Sequence, residues 1–154
     1  MTELKEDWRA LSIRQPWIDM ILNGDKVIEV REWDYPPSLR GTFVLHAAWA
    51  IDWKTVALLD MDSPLALTRG AFVGRADLVD AIELAEATNW RDLLSGHRVI
   101  HPPVGDRTVW GLVLRNVRRF SHPIRGSGGK YFFPIPPNLR HKVASEMRTL
   151  DQSN

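Results

Sequence analysis

The alternation of apolar and polar positions near the start of the chain predicts two strands separated by a helix. Residues 10–14 alternate with period two and place two aliphatic side chains on one face, which is typical of a half-buried strand. Pro16 suits the first position of a helix because its missing N–H would have no partner there, and Asn23-Gly24 supplies a stop signal. Period two returns over residues 26–33 and predicts the second strand.

The same signals predict a strand-rich alternation over the rest of the chain, with no linker between two halves. Strands are expected over residues 41–47, 70–84 and 108–120, and an apolar run over residues 131–135 follows a Gly/Ser loop at residues 122–130. Helices are expected from Asp52, as N-cap, to about residue 60, over residues 88–95, and after Asn138, as N-cap, where Leu139, Val143, Met147 and Leu150 form an apolar stripe.

The length and composition fit one globular domain. The chain has 154 residues, of which 44% are hydrophobic and 25% charged. These values predict a single α+β domain over residues 1–154, with residues 1–8 as a loose N-terminal extension. The sequence has no apolar run long enough for a membrane span and no apolar signal-peptide core. Because there is no cysteine, disulfide scaffolds, thiolate metal sites and cysteine nucleophiles are excluded. We expect a cytoplasmic protein.

The net charge of +1 conceals an acidic body and a basic C-terminal third. Residues 107–142 contain no acidic side chain and these eight basic ones: Arg107, Arg115, Arg118, Arg119, Arg125, Lys130, Arg140 and Lys142. Clustered cations of this kind suit a phosphate-binding face, and a solvated basic surface without a partner is the alternative. If phosphates bind here, we expect them to contact Arg118, Arg119, Arg125 and Lys130.

The first candidate site lies at residues 12–17, where the first strand runs directly into a helix. Ser12, Arg14 and Gln15 bring polar groups to the strand end. Backbone N–H groups at a helix start, together with an arginine, favour an anion or a carbonyl oxygen. The alternative is structural, with Gln15 capping the helix and Arg14 solvated.

The second candidate site lies at residues 24–33. Glu29 and Arg31 share one face of the predicted strand, whereas Lys26 joins them only if the chain twists or bulges after Gly24. The three side chains would then place a lysine, a carboxylate and an arginine in one small space. Glu29 would hold a base amino group or act as a general base, and the neighbouring arginine would lower the lysine pKa. A surface ion pair is the structural alternative.

Other constellations give weaker signals. The five histidines show no metal-ligand spacing, so no metal or other cofactor is expected, and His46 is interpreted as a half-buried structural histidine. The loop at residues 127–130 is too short for a P-loop, although its lysine suits a phosphate. Of the seven tryptophans, we expect most in the core and one or two on a stacking surface for a base.

The candidate residues carry a family resemblance. The run LSIRQPWIDMILNGDKVIEVREW resembles the opening of ASCH domains, whose pattern is S-x-R-Q-P-W/Y, a helix ending in glycine, and G-x-K-x-x-E-x-R. The matching positions are Ser12, Arg14, Gln15, Pro16, Trp17, Gly24, Lys26, Glu29 and Arg31, continued by Arg40, Gly41, His46, Ala47, Gly70 and Gly74. The late segment PIRGSGGKYFFPIP resembles the tail of a small ASCH subgroup.

The resemblance implies a PUA-like fold, a small mixed β-barrel with flanking helices, and a cleft that binds RNA or a modified nucleotide. Ser12, Arg14, Gln15, Trp17, Lys26, Glu29 and Arg31 are the residues expected to bind the nucleotide. Some small family members are enzymes, namely an acetylcytidine amidohydrolase and a ribonuclease. The amidohydrolase motif is K-T-x-T-x-R, in which Lys26 matches the lysine but Glu29 stands in place of threonine. That departure removes the hydroxyl group of the motif.

Three functions therefore follow from the sequence. The first is a binding module for RNA, single-stranded nucleic acid or a free modified nucleoside, without membrane contact. The second is an enzyme, either a nucleoside amidohydrolase or a metal-independent ribonuclease, in which Lys26 and Glu29 exchange protons. The third is a protein-interaction adaptor with an unused cleft.

Overall fold

A computed structural model describes residues 8–32, 40–86, 88–103 and 109–153. Its strands are β1 (Arg9–Gln15), β2 (Ile28–Arg31), β3 (Gly41–Ile51), β4 (Ala71–Leu84), β5 (Val109–Arg125) and β6 (Phe132–Pro134). Its helices are α1 (Trp17–Leu22), α2 (Trp53–Leu58), α3 (Leu94–His97) and α4 (Arg140–Gln152), with 3-10 turns at Pro64–Ala66 and Pro137–Leu139. Within the described ranges, no helix is long and apolar enough to cross a membrane.

The six strands form one mixed sheet in the order β2-β5-β4-β3-β1-β6. Strands β1 and β3 are parallel, and the other neighbouring pairs are antiparallel. The α+β class is therefore confirmed. The predicted barrel is not confirmed, because among the described strands no pairing joins β2 to β6 and the sheet has two edges.

The sheet separates two apolar layers because alternate strand residues point to opposite faces. On one face, Leu11 and Ile13 of β1 pack with Ile18 and Ile21 of α1. On the other face, a second buried cluster contains Val44 and Phe72 from the strands and Val143, Met147 and Leu150 from α4. The apolar stripe predicted for the C-terminal helix is thus its buried face, and the sheet is covered by a helix on each side.

A bulge interrupts β3 beside the end of β1. Ile13 is paired with Ala47 and Gln15 with Ile51, so two steps along β1 correspond to four along β3. The extra residues leave the ladder and change the direction in which their side chains point. Trp49 lies in this bulge and is exposed.

The helix predicted over residues 88–95 is wrong in position. Turns occupy the start of that segment and α3 begins only at Leu94. The Asn89 side chain accepts a hydrogen bond from the Ala85 N–H at 2.9 Å and donates to the Glu83 carbonyl at 2.9 Å. The N–H groups of Thr88, Asn89 and Trp90 also share the Ala85 carbonyl as their acceptor, which is a pattern of turns and not the i to i−4 ladder of a helix. The segment ends at Arg98 in a left-handed conformation.

Two further predictions at the C-terminal end are wrong. Strand β5 continues to Arg125, into the segment predicted as loop, because Phe72 and Ala71 of β4 pair with Ile124 and Arg125. Asn138 does not cap α4, since it lies within a 3-10 turn and Leu139 takes the N-cap position without a side-chain hydrogen bond. By contrast, Asp52 caps α2 as predicted.

Candidate functional site

A cleft of about 1300 Å³ lies at the junction of β1, α1, β2 and α2. Its lining combines an aromatic ring, aliphatic side chains and charged groups. The polar and aromatic members are Arg14, Trp17, Arg31, Glu32, Asp52, Lys54, Thr55, Ser95, Arg98 and His101, and the apolar members are Met20, Val30, Ala57, Leu58, Leu59, Leu94, Val99 and Ile100. Most of the surface that lines the cleft is apolar, and an apolar surface with polar groups set into it is typical of a small-molecule or nucleobase site.

Trp17, at the first position of α1, is held in the cleft by a hydrogen bond to α2. Its Nε1–H donates to Asp52 Oδ2 at 2.9 Å, and the other carboxylate oxygen of Asp52 accepts from the Thr55 N–H at 3.2 Å. Burial acts to raise the pKa of Asp52, but these hydrogen bonds outweigh it and lower the pKa below its usual value. Asp52 therefore stays ionised at neutral pH and joins the Trp17 ring to the start of α2.

Lys26 lies behind Trp17 and is almost fully enclosed, with only 1% of its surface exposed. The chain turns sharply after α1 at Gly24, where φ is +86°, and the Lys26 N–H then donates to the Met20 carbonyl at 3.1 Å. This turn brings the ammonium Nζ to 4.6 Å from the Trp17 ring centroid, where it also donates to the His97 carbonyl. The grouping of Lys26 with Glu29 and Arg31 depended on a twist or bulge after Gly24, and the chain does turn there.

Glu29 and Arg31 complete the charged group around Lys26. Glu29 Oε1 lies 3.8 Å from Lys26 Nζ, and Glu29 Oε2 lies 3.1 Å from Arg31 Nε. Arg31 also reaches from the edge strand to β1, where its Nη2 donates to the Ser12 carbonyl at 2.6 Å. The predicted lysine, carboxylate and arginine are therefore brought together.

Burial lowers the pKa of Lys26 to about 8 and is the largest of the effects on it. The Glu29 carboxylate opposes this shift, and Arg31 adds a smaller lowering. The sequence interpretation attributed the shift to the neighbouring arginine, which is therefore the lesser cause. The dominant reason is that an ammonium loses hydration when the protein encloses it.

Lys26 and Glu29 do not line the cleft, whereas their contact partners Trp17 and Arg31 do. The exposed fraction of Glu29 is only 6%. The group therefore has two layers, with an aromatic ring and a guanidinium facing the cavity and a buried ion pair supporting them. Such a support orients the groups that contact a ligand.

Gln15 is fully buried, and its side chain forms hydrogen bonds with other groups of the protein. Its Nε2 donates to Asp19 Oδ1 at 3.0 Å and to the Thr68 carbonyl at 2.8 Å, while its Oε1 accepts from the Asp19 N–H at 3.2 Å. The structural alternative, in which Gln15 caps the helix, therefore describes its contacts. Arg14 is exposed and lines the cleft.

Ser12 lies in a different network, beneath the loop that follows β5. Its Oγ is 2.6 Å from His46 Nδ1, and His46 Nε2 is 2.8 Å from the Gly126 carbonyl. Because a carbonyl only accepts, Nε2 carries the ring proton and Ser12 donates to Nδ1. Burial lowers the pKa of His46 more than the Gly126 contact raises it. His46 is thus a hydrogen-bonded structural histidine, as predicted, and it is more deeply buried than expected.

The four predicted phosphate contacts do not line the cleft and do not lie on one face. Arg118 donates to Ser153 Oγ at 2.8 Å beside the end of α4, whereas Arg119 donates to Asn23 Oδ1 at 2.9 Å beside α1. Arg125 lines a separate cavity of about 410 Å³ against α4. Lys130 is exposed before β6. Arg118 and Arg119 are separated because adjacent residues of a strand point to opposite sides of the sheet.

Asp52, Lys54 and Arg98 are among the cleft residues that the sequence interpretation did not assign to the site. Lys54 and Arg98 add cations to the lining, and Asp52 orients the Trp17 indole in addition to capping α2. The only sequence signal for Asp52 was its position as N-cap of a predicted helix. Lys54 lies in the first turn of that helix. Arg98 had no signal, because its place depends on the turns before α3. In the described part of the chain, no three His, Cys, Asp or Glu side chains form a possible metal site.

Comparison with known proteins gives a family and a fold. The ASCH domain family matches residues 11–123, which include the cleft residues of β1, α1, β2 and α2. The crystal structure of ASCH from Zymomonas mobilis has a TM-score of 0.64 at 14% identity, covering 92% of this chain and 96% of that chain. The crystal structure of a serine-to-alanine mutant of that protein has a TM-score of 0.63 at 14% identity, covering 91% of this chain and 96% of that chain. The crystal structure of a tyrosine-to-phenylalanine mutant has a TM-score of 0.64 at 14% identity, covering 90% of this chain and 97% of that chain.

No curated protein matches the chain. The solved structures share the arrangement of strands and helices at low identity, so they support the fold alone. The family match extends over well over half of the chain and contains the strand-to-helix and G-x-K-x-x-E-x-R segments. On this evidence the chain belongs to the ASCH domain family.

Proposed function

We propose that the protein is a nucleic-acid-binding module, directed at RNA, that takes one base, normal or modified, into the cleft beside Trp17. One observation carries this proposal: an oriented tryptophan ring lies in a mostly apolar cleft whose rim bears Arg14, Lys54 and Arg98. An aromatic ring suits the face of a base, and neighbouring cations suit the phosphates attached to it. The ASCH resemblance, which implies RNA or nucleotide recognition, agrees with this chemistry.

Trp17 is the stacking residue in this proposal. Lys26 lies against one side of the ring, which leaves the opposite side for a base. The hydrogen bond to Asp52 fixes the ring plane before the ligand arrives, so little side-chain freedom is lost on binding. Base–aromatic stacking contributes about 1–3 kcal/mol per base.

The cations of the cleft are proposed to select an anionic ligand. Four basic side chains, Arg14, Arg31, Lys54 and Arg98, line the cavity together with the carboxylates Glu32 and Asp52. Asp52 already accepts two hydrogen bonds from the protein, and Arg31 is paired with Glu29. We therefore assign phosphate contacts to Arg14, Lys54 and Arg98, and base contacts to Trp17 and Arg31. Contacts from Arg118, Arg119, Arg125 and Lys130 to a longer strand stay a prediction.

The test is a binding titration of fluorescently labelled, eight-nucleotide single-stranded RNA of random sequence. Trp17→Ala should weaken binding by about 5- to 150-fold, which corresponds to the loss of one stacked base. Trp17→Phe is the matched control, because it keeps a ring and should retain most of the affinity. Equal affinity of wild type and Trp17→Ala, with both proteins folded by circular dichroism, would contradict the proposal.

Catalysis is the second candidate, and the lowered pKa of Lys26 favours it. An amine with a pKa of about 8, in contact with a carboxylate, is suited to proton transfer near neutral pH. Its enclosure behind Trp17 and Arg31 argues for a supporting role instead. Incubation with acetylated cytidine, and separately with structured RNA, decides between them. Turnover that disappears in Lys26→Ala and Glu29→Gln would establish the enzyme.

A further inference from the structure

Trp49 is the most conspicuous exposed aromatic side chain in the described part of the chain. It lies in the bulge of β3, and 66% of its surface is exposed. Ala47, two residues earlier on the same strand, is fully buried. The extra residues of the bulge therefore turn a position that regular alternation would bury into one that faces solvent.

The protein holds Trp49 in this exposed position. The Arg69 guanidinium lies 4.4 Å from the ring centroid, and Arg69 Nη1 donates to the Trp49 carbonyl at 3.2 Å. Gly70 packs against the ring edge, where a Cβ atom would come within 3.2 Å of the indole. Its N–H donates to the Ala47 carbonyl at 2.7 Å and fixes the start of the bulge. One side of the ring is thus covered by a cation, and the rest is presented to solvent.

Trp53 is a second exposed aromatic side chain, with 55% of its surface exposed. It is the first residue of α2 and follows Asp52, which accepts the Trp17 hydrogen bond. Trp49 lies three residues before Asp52, a span of at most about 11 Å along the backbone. Trp49 and Trp53 therefore flank the residue that orients the cleft ring.

Cationic side chains accompany these two rings in space or along the chain. Lys54 follows Trp53, Arg69 stacks on Trp49, and Arg14 lies in β1 beside the bulged part of β3. Asp52, which lies between the two rings in the sequence, already accepts hydrogen bonds from Trp17 and Thr55, and Asp60 and Asp62 come after the far end of α2. Aromatic rings alternating with cations are typical of surfaces that bind single-stranded nucleic acid, where bases stack and phosphates pair with Lys or Arg.

We infer that Trp49 and Trp53 form a stacking platform for the nucleotides next to the one held in the cleft. The ligand class is then a single strand of several nucleotides, and a free nucleoside would occupy only part of the site. This inference rests on the proposed function, because it extends the path of the strand from Trp17 along the start of α2. The bulge and the Arg69 contact hold the platform in place before binding.

The test compares strand length with platform variants. Labelled single-stranded RNAs of two, four and eight nucleotides are titrated against wild type, Trp49→Ala and Trp53→Ala. Wild-type affinity should rise with length, and each variant should bind the eight-nucleotide strand at least about fivefold more weakly. The loss should shrink or vanish for the dinucleotide. Trp49→Phe should keep most of the affinity because it keeps a ring.

Leu65→Ala is the matched control. Leu65 has the same exposed fraction as Trp49 but no ring, so its removal should leave RNA affinity unchanged. If the platform variants bind all strands as wild type does while Trp17→Ala binds poorly, the platform is overturned and the cleft proposal stands. If Trp49→Phe loses as much as Trp49→Ala, stacking is overturned as the cause. If wild type binds no RNA, both proposals fail.

Discussion

Among single residues, Lys26 departs most from ordinary behaviour, because an ammonium group is enclosed between an indole ring, a carboxylate and a backbone carbonyl. Its lowered pKa of about 8 means that the charged form is less favourable in the folded protein than in the unfolded chain, where the value is 10.5. Charge at this position therefore opposes folding at neutral pH, on the order of 3 kcal/mol. Its contacts with Trp17 and Glu29 fit the supporting role proposed for it.

The pH dependence of stability follows from that shift. Between about pH 8 and 10.5 the unfolded chain holds the Lys26 proton and the folded protein does not, so the free energy of unfolding should rise with pH across this window. Below about pH 8 the Lys26 amine is protonated in both the folded and the unfolded state. It therefore does not change the free energy of unfolding with pH in that range. Urea denaturation of wild type and Lys26→Met from pH 7 to pH 10 measures the difference. Parallel curves for the two proteins would show that the pKa is not lowered.

The residues of the site were partly predictable. The spacing of Lys26, Glu29 and Arg31 indicated that a twist after Gly24 would bring them together, and the turn at Gly24 does so. Their burial behind Trp17 was not predictable, because it depends on distant parts of the chain. The carbonyl that binds Lys26 belongs to His97, 71 positions away. Local spacing contains no information on such a contact.

At the scale of elements, the cleft depends on the hydrogen bonds through which Asp52 connects α1 to α2. Asp52 serves both helices, as the cap of α2 and as the acceptor for the Trp17 indole. Asp52→Ala should lower the free energy of unfolding by about 1–3 kcal/mol, through a lost cap and an unpaired indole N–H. Asp52→Asn keeps one acceptor oxygen, enough for the helix cap or for the indole but not for both positions, and should lose less than Asp52→Ala. Urea denaturation of both variants measures the free energy of unfolding. Equal losses in the two variants would contradict the role of these hydrogen bonds.

The long pairing of β4 with β5 depends on a close approach at Gly74. A Cβ atom there would lie 2.3 Å from the Arg118 carbonyl oxygen, which belongs to the backbone and cannot move aside. Gly111 is the matched control, since a Cβ atom there meets the tips of Ile28 and Leu84 side chains. Gly74→Ala should cost about 1–3 kcal/mol and more than Gly111→Ala. Thermal denaturation of the two variants would contradict this if Gly111→Ala were the less stable.

The elements themselves were predicted best where periodicity is long. The strands over residues 10–14 and 70–84 and the apolar stripe of α4 agree with the structure. Strand β5 was predicted too short because Gly and Ser after it indicated a loop, yet its last residues pair with Phe72 and Ala71, about 50 positions earlier. Tertiary pairing of this kind overrides local turn signals.

At the scale of the whole molecule, the charge asymmetry along the sequence does not become one basic face. Arg118 and Arg119 point to opposite layers, while the cleft obtains cations from Arg14 and Lys54 instead. A run of like charges on a strand is divided by the alternation of side chains. The cleft is lined by Arg14, Trp17 and Arg31 of the family motif and by none of the four residues Arg118, Arg119, Arg125 and Lys130.

Salt dependence of RNA binding tests this charge assignment. The logarithm of affinity should fall with the logarithm of salt concentration, and Arg14→Gln should flatten the slope by roughly 0.7, the value for one phosphate contact with a single strand. Lys54→Gln should do the same. Arg125→Gln in the same titrations tests the predicted contact outside the cleft, and a flattened slope there would support it. An unchanged slope in both cleft variants would contradict their assignment.

The central claim is that a base enters the cleft at Trp17. The most direct measurement is the NMR spectrum of the indole N–H groups, whose seven signals can be assigned with single Trp→Phe variants. On titration with eight-nucleotide single-stranded RNA, the Trp17 signal should shift in proportion to binding, whereas the buried Trp90 signal should stay in place. If RNA binds while the Trp17 signal does not move, the base does not enter this cleft.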